Sequence, residues 1–327
     1  MKQVNHNLMT CRGIAAFLVV LEHSIIRYPI DLRAQAQWCV VLSNFINSFH
    51  MPLFFILSGY LTSVQKIDSP ANWLQKHCKR LLLPCFAMGV VDMLPRLFLQ
   101  SFVHNPSNIQ NSILNILLYG GYFWFLIAMF LVQAVTGLWV TYGNRNALFA
   151  ISAVLMIATR FFAFPQLFRV DQASYYLFFY LLGGYYREYE KRILKHNQLI
   201  GCASFLLVVT LGWIGNRFTN ILVAVAACWL AIQLSTWITA CGKNRLLELA
   251  GQYSLQIYLF NGITLGVSRT LLVRLGLADP LLLIVGNTVL VFLMEAMMIF
   301  VLKQLPAIAV LFGMRREKQG GKQYATN

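Results

Sequence analysis

Eight ionisable side chains stand inside otherwise apolar stretches of this chain: Arg12, Glu22, His23, His50, Asp92, Arg96, Arg160 and Glu295. A charge at membrane depth is costly, so each needs a partner or a task. Arg12 and His23 are the pair whose spacing suggests chemistry. From Arg12 to His23 a helix turns about three full circles plus 20°, so both project from one face, about 16 Å apart along the axis. An anion held at Arg12, near one mouth of the bilayer, could extend a reactive end toward His23. An imidazole titrates near neutral pH and can take the proton of an attacking hydroxyl. The structural alternative stays open on spacing alone: a guanidinium that snorkels to the interface and a His satisfied by a neighbouring helix.

The other candidates are weaker. Glu22 adjoins His23, about 100° round the helix, and such neighbours do not face each other. The spacing therefore assigns Glu22 to an Arg on another span and gives it no part in orienting His23. Asp92 and Arg96, at i and i+4, read as an intrahelical ion pair. Glu295 must find a partner, with Arg160 or Arg269 available. The run from Phe49 to Leu61 holds Pro52, which removes a helix hydrogen bond, and Ser58-Gly59, which allows a close approach or a second bend. A helix broken there could line a polar cavity with His50. Lys76, Lys79 and Arg80 form a basic cluster just before apolar Leu81. Such a cluster marks a cytoplasmic helix end at lipid head groups, and Lys79 and Arg80 could equally hold the phosphates of a nucleotide-like donor. Trp124, in Tyr122-Phe123-Trp124-Phe125-Leu126, belongs to an aromatic belt. No tight His/Asp/Glu cluster exists, so no metal is expected.

The elements that position these residues follow from composition. The chain is 58% apolar and only 11% charged, where a soluble domain has about 45–50% and about 25%. Such a chain cannot cover a water-facing surface, and it is too apolar for disorder. Seven scattered cysteines without a CxxC pair exclude a disulfide-stapled domain. An all-α polytopic membrane protein remains. Ten apolar runs lie near 11–27, 40–64, 81–100, 122–140, 147–163, 173–187, 198–215, 219–239, 253–273 and 281–302, each close to the length that spans a hydrocarbon core. The first ends on Glu22-His23 rather than on a small-residue cleavage site, so it reads as a retained span. With both termini cytoplasmic, 18 of the 26 Lys and Arg fall inside, as the positive-inside rule asks. The net charge of +15 is thereby accounted for at the anionic leaflet, without nucleic acid. Residues 1–312 read as one membrane domain and 313–327 as a polar cytoplasmic tail. Between 100 and 121 lies a long outer loop whose apolar patch Ile113 to Leu118 suggests an interfacial segment.

Taken in order, Arg12-Gly13, His23-Ser24, Pro52-Leu53-Phe54-Phe55, Ser58-Gly59-Tyr60, Lys79-Arg80-Leu81, Phe123-Trp124-Phe125-Leu126, Gly251 and Ser254-Leu255-Gln256-Ile257-Tyr258-Leu259 resemble the membrane-bound acyltransferase-3 family. The wording around His50 is most similar to its fucose 4-O-acetylase-like branch. The resemblance implies about ten spans with cytoplasmic termini in the bacterial inner membrane. It implies transfer of an acetyl or other short acyl group from cytoplasmic acyl-CoA to a hydroxyl of a cell-surface or lipid-linked glycan. His23 then matches the family's essential first-span histidine and Arg12 its paired basic residue. Arg12, Lys79 and Arg80 would recognise polyanionic CoA. His50, Ser58 or Trp124 would donate to the tetrahedral oxyanion. Two departures stand out. Lys76 and Lys79 followed by Arg80 replace the usual basic-x-x-Arg pattern, and Asn261 stands where the ninth-span motif often has His, so no role is carried to that position. A transporter or flippase for a glycan or acylated compound is the competing class, since broken helices and buried charges suit it too.

Overall fold

The structure, a computed structural model, describes residues 5–26, 30–62, 69–98, 109–212, 216, 218–242 and 244–314, with backbone alone at 95–98 and 109. The tail beyond residue 314 and the Arg96 side chain lie outside these residues, and with them the expected Asp92–Arg96 pair.

No strand forms among the described residues. The helices are α1 (His6–Ile26), α2 (Gln37–Leu61), α3 (Pro70–His77), α4 (Leu83–Phe98), α5 (Ile109–Tyr119), α6 (Trp124–Tyr142), α7 (Arg145–Ala158), α8 (Val170–Leu194), α9 (Asn197–Leu211), α10 (Thr219–Cys241), α11 (Arg245–Gln252), α12 (Ser254–Arg274), α13 (Pro280–Gln304) and α14 (Pro306–Ala309). Each of the ten apolar runs carries a helix. Five segments are long and apolar enough to cross a membrane: α1, α2, residues Gln110–Tyr142, α10 and α13. A stretch bent by 115° where α8 meets α9 makes a sixth if it counts as one span. The shortfall from ten has local causes. At 14 residues α7 is short, and α12 carries Gln256, Asn261, Ser268 and Arg269, all buried. The expected break in α2 is absent, because the helix runs unbroken through Pro52.

The described residues divide into two compact units, one drawn from 5–57 and 186–301, the other from 58–185 and 302–314. In the first, α1 packs against α10, α11 and α12 and is buried nearly all round, as a central helix must be. Its closest neighbour is α11, and two glycines permit that approach. A Cβ on Gly251 would meet the Met9 carbonyl carbon at 2.8 Å and the Gly13 nitrogen at 3.1 Å. A Cβ on Gly13 would meet the Leu247 carbonyl carbon at 2.8 Å. Backbone thus lies on backbone, the arrangement that small residues allow between membrane helices.

Helix α13 shows which surface meets lipid. Leu281, Val285, Val289, Leu293 and Met297 form an exposed stripe at helical spacing, while Asn287, Thr288 and Glu295 are buried on the other side. Apolar outside and polar inside is the pattern of a membrane helix. The buried groups bond to α1 and α12. Thr288 donates to Ser24 Oγ at 3.2 Å, Ser268 donates to Asn287, and Thr264 donates to Glu295 at 3.4 Å. Neither arginine offered for Glu295 takes it. Arg269 is fully buried and donates to the Ser24 carbonyl and, at 3.4 Å, to that of Ile30. Arg160 stacks on the Tyr175 ring at 4.0 Å, within the second unit.

In the second unit Gly59 of α2 lies against α8, where a Cβ would meet the Tyr180 carbonyl carbon at 2.8 Å and the Gly184 nitrogen at 3.3 Å. The Ile113–Leu118 patch is part of α5, which exposes Ile113, Leu114 and Leu117.

The glycine crossing gives a direct test. Gly251→Ala forces α1 and α11 apart and costs about 1–3 kcal/mol, as overpacking does. Gly201→Ala, at a site with nothing within 4 Å, gains up to about 1 kcal/mol of helix propensity. Thermal unfolding in detergent, followed by gel filtration, should lower the midpoint for the first and not for the second.

Candidate active site

His23 stands in the last turn of α1, with its side chain 40% exposed. Its Nδ1 is 3.0 Å from the Val19 carbonyl oxygen, one turn back. A carbonyl only accepts, so Nδ1 carries the hydrogen, and Nε2 presents its lone pair in the neutral ring. Among the described residues nothing hydrogen-bonds Nε2. The same Nδ1 lies 2.9 Å from Glu22 Oε2.

That contact overturns the sequence expectation for Glu22. The rule that adjacent helical residues do not face each other concerns the directions in which Cβ leaves the backbone. Glu22 has one further methylene beyond Cβ, which lets its carboxylate reach the neighbouring ring. Its other oxygen accepts from Ser43 Oγ of α2 at 3.3 Å, and its side chain is 5% exposed. No arginine is needed. Ser43 carries no local sequence signal; only the pairing of α1 with α2 reveals it.

His50, on α2, is buried and bonds the Ile46 carbonyl through Nδ1 at 2.8 Å. Helix α2 brings it close enough to interact electrostatically with both Glu22 and His23. Its one neutral-state hydrogen is committed to Ile46, so it donates from Nε2 only when protonated.

At the other end of α1, Arg12 Nη2 donates to Ser254 Oγ at 2.9 Å. Ser254 opens α12 and is buried. It follows Gly251 closely, so the glycine crossing also sets the position of this hydroxyl. His6 Nδ1, in the first turn, is 2.8 Å from Glu248 Oε1 of α11. Arg12 and His23 therefore sit on one unbroken helix, both half-buried, each fixed by a different neighbour: Arg12 by the α11–α12 junction and His23 by its own helix.

The remaining candidates belong to the second unit. Lys79 and Arg80 are exposed on a π-helical turn, Cys78–Leu82, between α3 and α4. Such turns recur at functional sites. The preceding His77 stacks on Trp73, ring centroids 3.8 Å apart, and its Nδ1 bonds the Trp73 carbonyl at 2.8 Å. Burial holds this imidazole below its ordinary pKa, and the charges of Arg80 and Lys76 push the same way. Ser58 accepts from Gln133 Nε2 at 3.0 Å, which leaves the hydroxyl hydrogen of Ser58 for another acceptor. Gln133 is buried with its Oε1 unbonded among the described residues, and sequence reading passed it over as one polar residue in an apolar helix. Trp124 opens α6 and stacks on Tyr176 at 6.0 Å.

The first unit thus holds a half-exposed imidazole of defined tautomer, backed by a buried carboxylate, on the same helix as a guanidinium. That set can remove a proton from a hydroxyl and hold an anion.

A family model described as an acyltransferase domain matches residues 5–301. The probable poly-beta-1,6-N-acetyl-D-glucosamine export protein of Staphylococcus aureus (strain MW2) is 21% identical over 268 residues, 77% of this chain and 75% of its own length. The glucans biosynthesis protein C of Salmonella typhi is 25% identical over 88 residues, 27% of this chain and 23% of that protein. No solved structure matches. The family match begins one residue before α1 and ends within α13, nearly the whole chain, and the chain belongs to the membrane-bound acyltransferase-3 family.

Proposed function

We propose that this protein is an integral membrane O-acyltransferase of the bacterial inner membrane. It moves an acetyl or other short acyl group from cytoplasmic acyl-CoA to a hydroxyl of a cell-surface or lipid-linked glycan. The ten helices in the ten apolar runs cross the bilayer, with both termini in the cytoplasm. The names of the staphylococcal and Salmonella relatives, a poly-N-acetylglucosamine export protein and a glucans biosynthesis protein, support a polysaccharide as acceptor.

The carrying observation is the state of His23: a half-exposed ring whose Nδ1 hydrogen is tied down and whose Nε2 is unengaged among the described residues. A sugar hydroxyl is a poor nucleophile. With Nε2 as general base the hydroxyl oxygen attacks the thioester carbonyl, the C–S bond breaks, and the imidazolium returns its proton to the departing CoA thiolate. Arg12 anchors the anionic donor through its guanidinium. Lys79 and Arg80 offer further cations of the kind CoA phosphates need. His50, Ser58 and Trp124 are the candidate donors to the oxyanion. The word "export" in the staphylococcal name favours a second reading, passage of the glycan itself across the membrane.

Inverted membrane vesicles from the native host, which contain the endogenous acceptor, separate these readings. With labelled acetyl-CoA, wild type transfers label to glycan, and His23→Ala at equal membrane level falls by about 10²–10⁴-fold. Label transfer by His23→Ala at the wild-type rate sinks the general-base assignment. Glycan flux in proteoliposomes without any acyl donor establishes transport instead.

A separate outcome is expected for Arg12→Ala. Losing a charged hydrogen bond to the donor, about 1.5–3 kcal/mol, raises KM for acetyl-CoA by roughly 10- to 100-fold. An unchanged KM removes Arg12 from donor binding.

A further inference from the structure

We infer that Glu22 is a positioning residue for His23: its carboxylate holds the imidazole through Nδ1 and balances the positive charge that the ring gains when Nε2 takes a proton. The inference rests on the reading of His23 as the base and adds a residue that the sequence had set aside.

The partners of Glu22 carry it. The carboxylate is almost fully buried, and a buried carboxylate is costly unless paired. Among the described residues it accepts from Ser43 Oγ at 3.3 Å, and His23 Nδ1 lies 2.9 Å from it. No Lys or Arg is among them. The other charged or titratable groups that act on it are His50, from α2, and Arg33, in the turn between α1 and α2, which is paired with Asp31. A single neutral hydroxyl does not balance a full negative charge. Among the described residues, the basic group in direct contact with it is the His23 ring, which can balance that charge once protonated. The pair is therefore better matched with a proton on Nε2 than without one. In acyl transfer that condition arises as the hydroxyl proton moves to Nε2 and the C–O bond forms. It ends when the C–S bond has broken and the proton passes to the thiolate. The carboxylate itself stays ionised throughout. A fixed charge aimed at a charge that develops during reaction is what preorganised electrostatic catalysis requires.

The Val19 carbonyl sharpens the expectation. It also accepts from Nδ1, so the tautomer survives without Glu22. What Glu22 adds is charge, and Glu22→Gln removes the charge while keeping the shape and an acceptor for Ser43.

The test uses the same vesicles, with rates normalised to folded, monodisperse protein recovered afterwards. Two acceptors are compared: the endogenous glycan, whose hydroxyl needs a base, and added hydroxylamine, which attacks thioesters without one. For Glu22→Gln the glycan rate falls by about 10- to 100-fold, the loss of one charged hydrogen bond. KM for acetyl-CoA stays within about twofold and the hydroxylamine rate within about threefold. Equal loss on both acceptors means a structural role and overturns the inference. A wild-type glycan rate in Glu22→Gln beside an inactive His23→Ala also overturns it, while leaving the base assignment standing. An active His23→Ala brings down both. Should Glu22→Gln yield no folded protein, Glu22→Asp decides the matter. Its shorter side chain keeps the charge but draws it back from Nδ1, so the glycan-to-hydroxylamine ratio must fall between those of wild type and His23→Ala, and an unchanged ratio refutes the positioning role.

Discussion

The backbone contact between α1 and α11 is the constraint on which the first unit depends. Without side chains at Gly13 and Gly251 the two helices meet backbone to backbone, and the polar contacts of the N-terminal half of α1 with the α11–α12 segment are built on that separation. The Arg12–Ser254 bond and the His6–Glu248 pair both span α1 and the α11–α12 segment. In a bilayer, where lipid is as apolar as leucine, such close packing takes the place of hydrophobic collapse as the force that sets helix positions.

At the other end of α1 the problem is different. The last turn of a helix leaves carbonyls without intrahelical donors, and in a membrane no water reaches them. Arg269 meets this need. Its guanidinium, wholly buried, donates to the Ser24 carbonyl next to His23 and to that of Ile30. A charge that looked from sequence like the counter-ion of Glu295 is thus a clamp on the helix end that carries the imidazole. Two carbonyl dipoles, with the charge of Asp31 nearby, face this cation where Glu295 was expected.

Much of the array was legible in the sequence because membrane helices announce themselves by length and uniformity. Every apolar run from 11–27 to 281–302 holds a helix, and Arg12 and His23 do lie on one continuous element. Periodicity failed where tertiary context decides. Helix α2 runs through Pro52, although the residue type argues for a break. Helix α12 keeps its length while turning Asn261, Thr264, Ser268 and Arg269 inward, so hydropathy alone undervalues it. Glu22 was misplaced because spacing rules describe where Cβ points, whereas its flexible carboxylate ends beyond Cβ and can turn to the neighbouring ring. Ser43 and Gln133 gave no signal, since a single hydroxyl or amide in an apolar run is ordinary until its partner is seen.

The position of Glu22 also explains why an acid and a base can be neighbours in sequence without neutralising each other's use. The two side chains leave the helix about 100° apart. One therefore points into the packed interface with α2, where Ser43 waits, and the other stays half-exposed. Only their tips meet. In the proposed reaction, burial falls on the group whose charge stays constant, and exposure on the group whose charge changes. The reverse order, an exposed carboxylate behind a buried imidazole, would put the proton-accepting nitrogen out of reach of any substrate. Order along the chain, helix rotation and side-chain length together yield the arrangement that proton transfer needs.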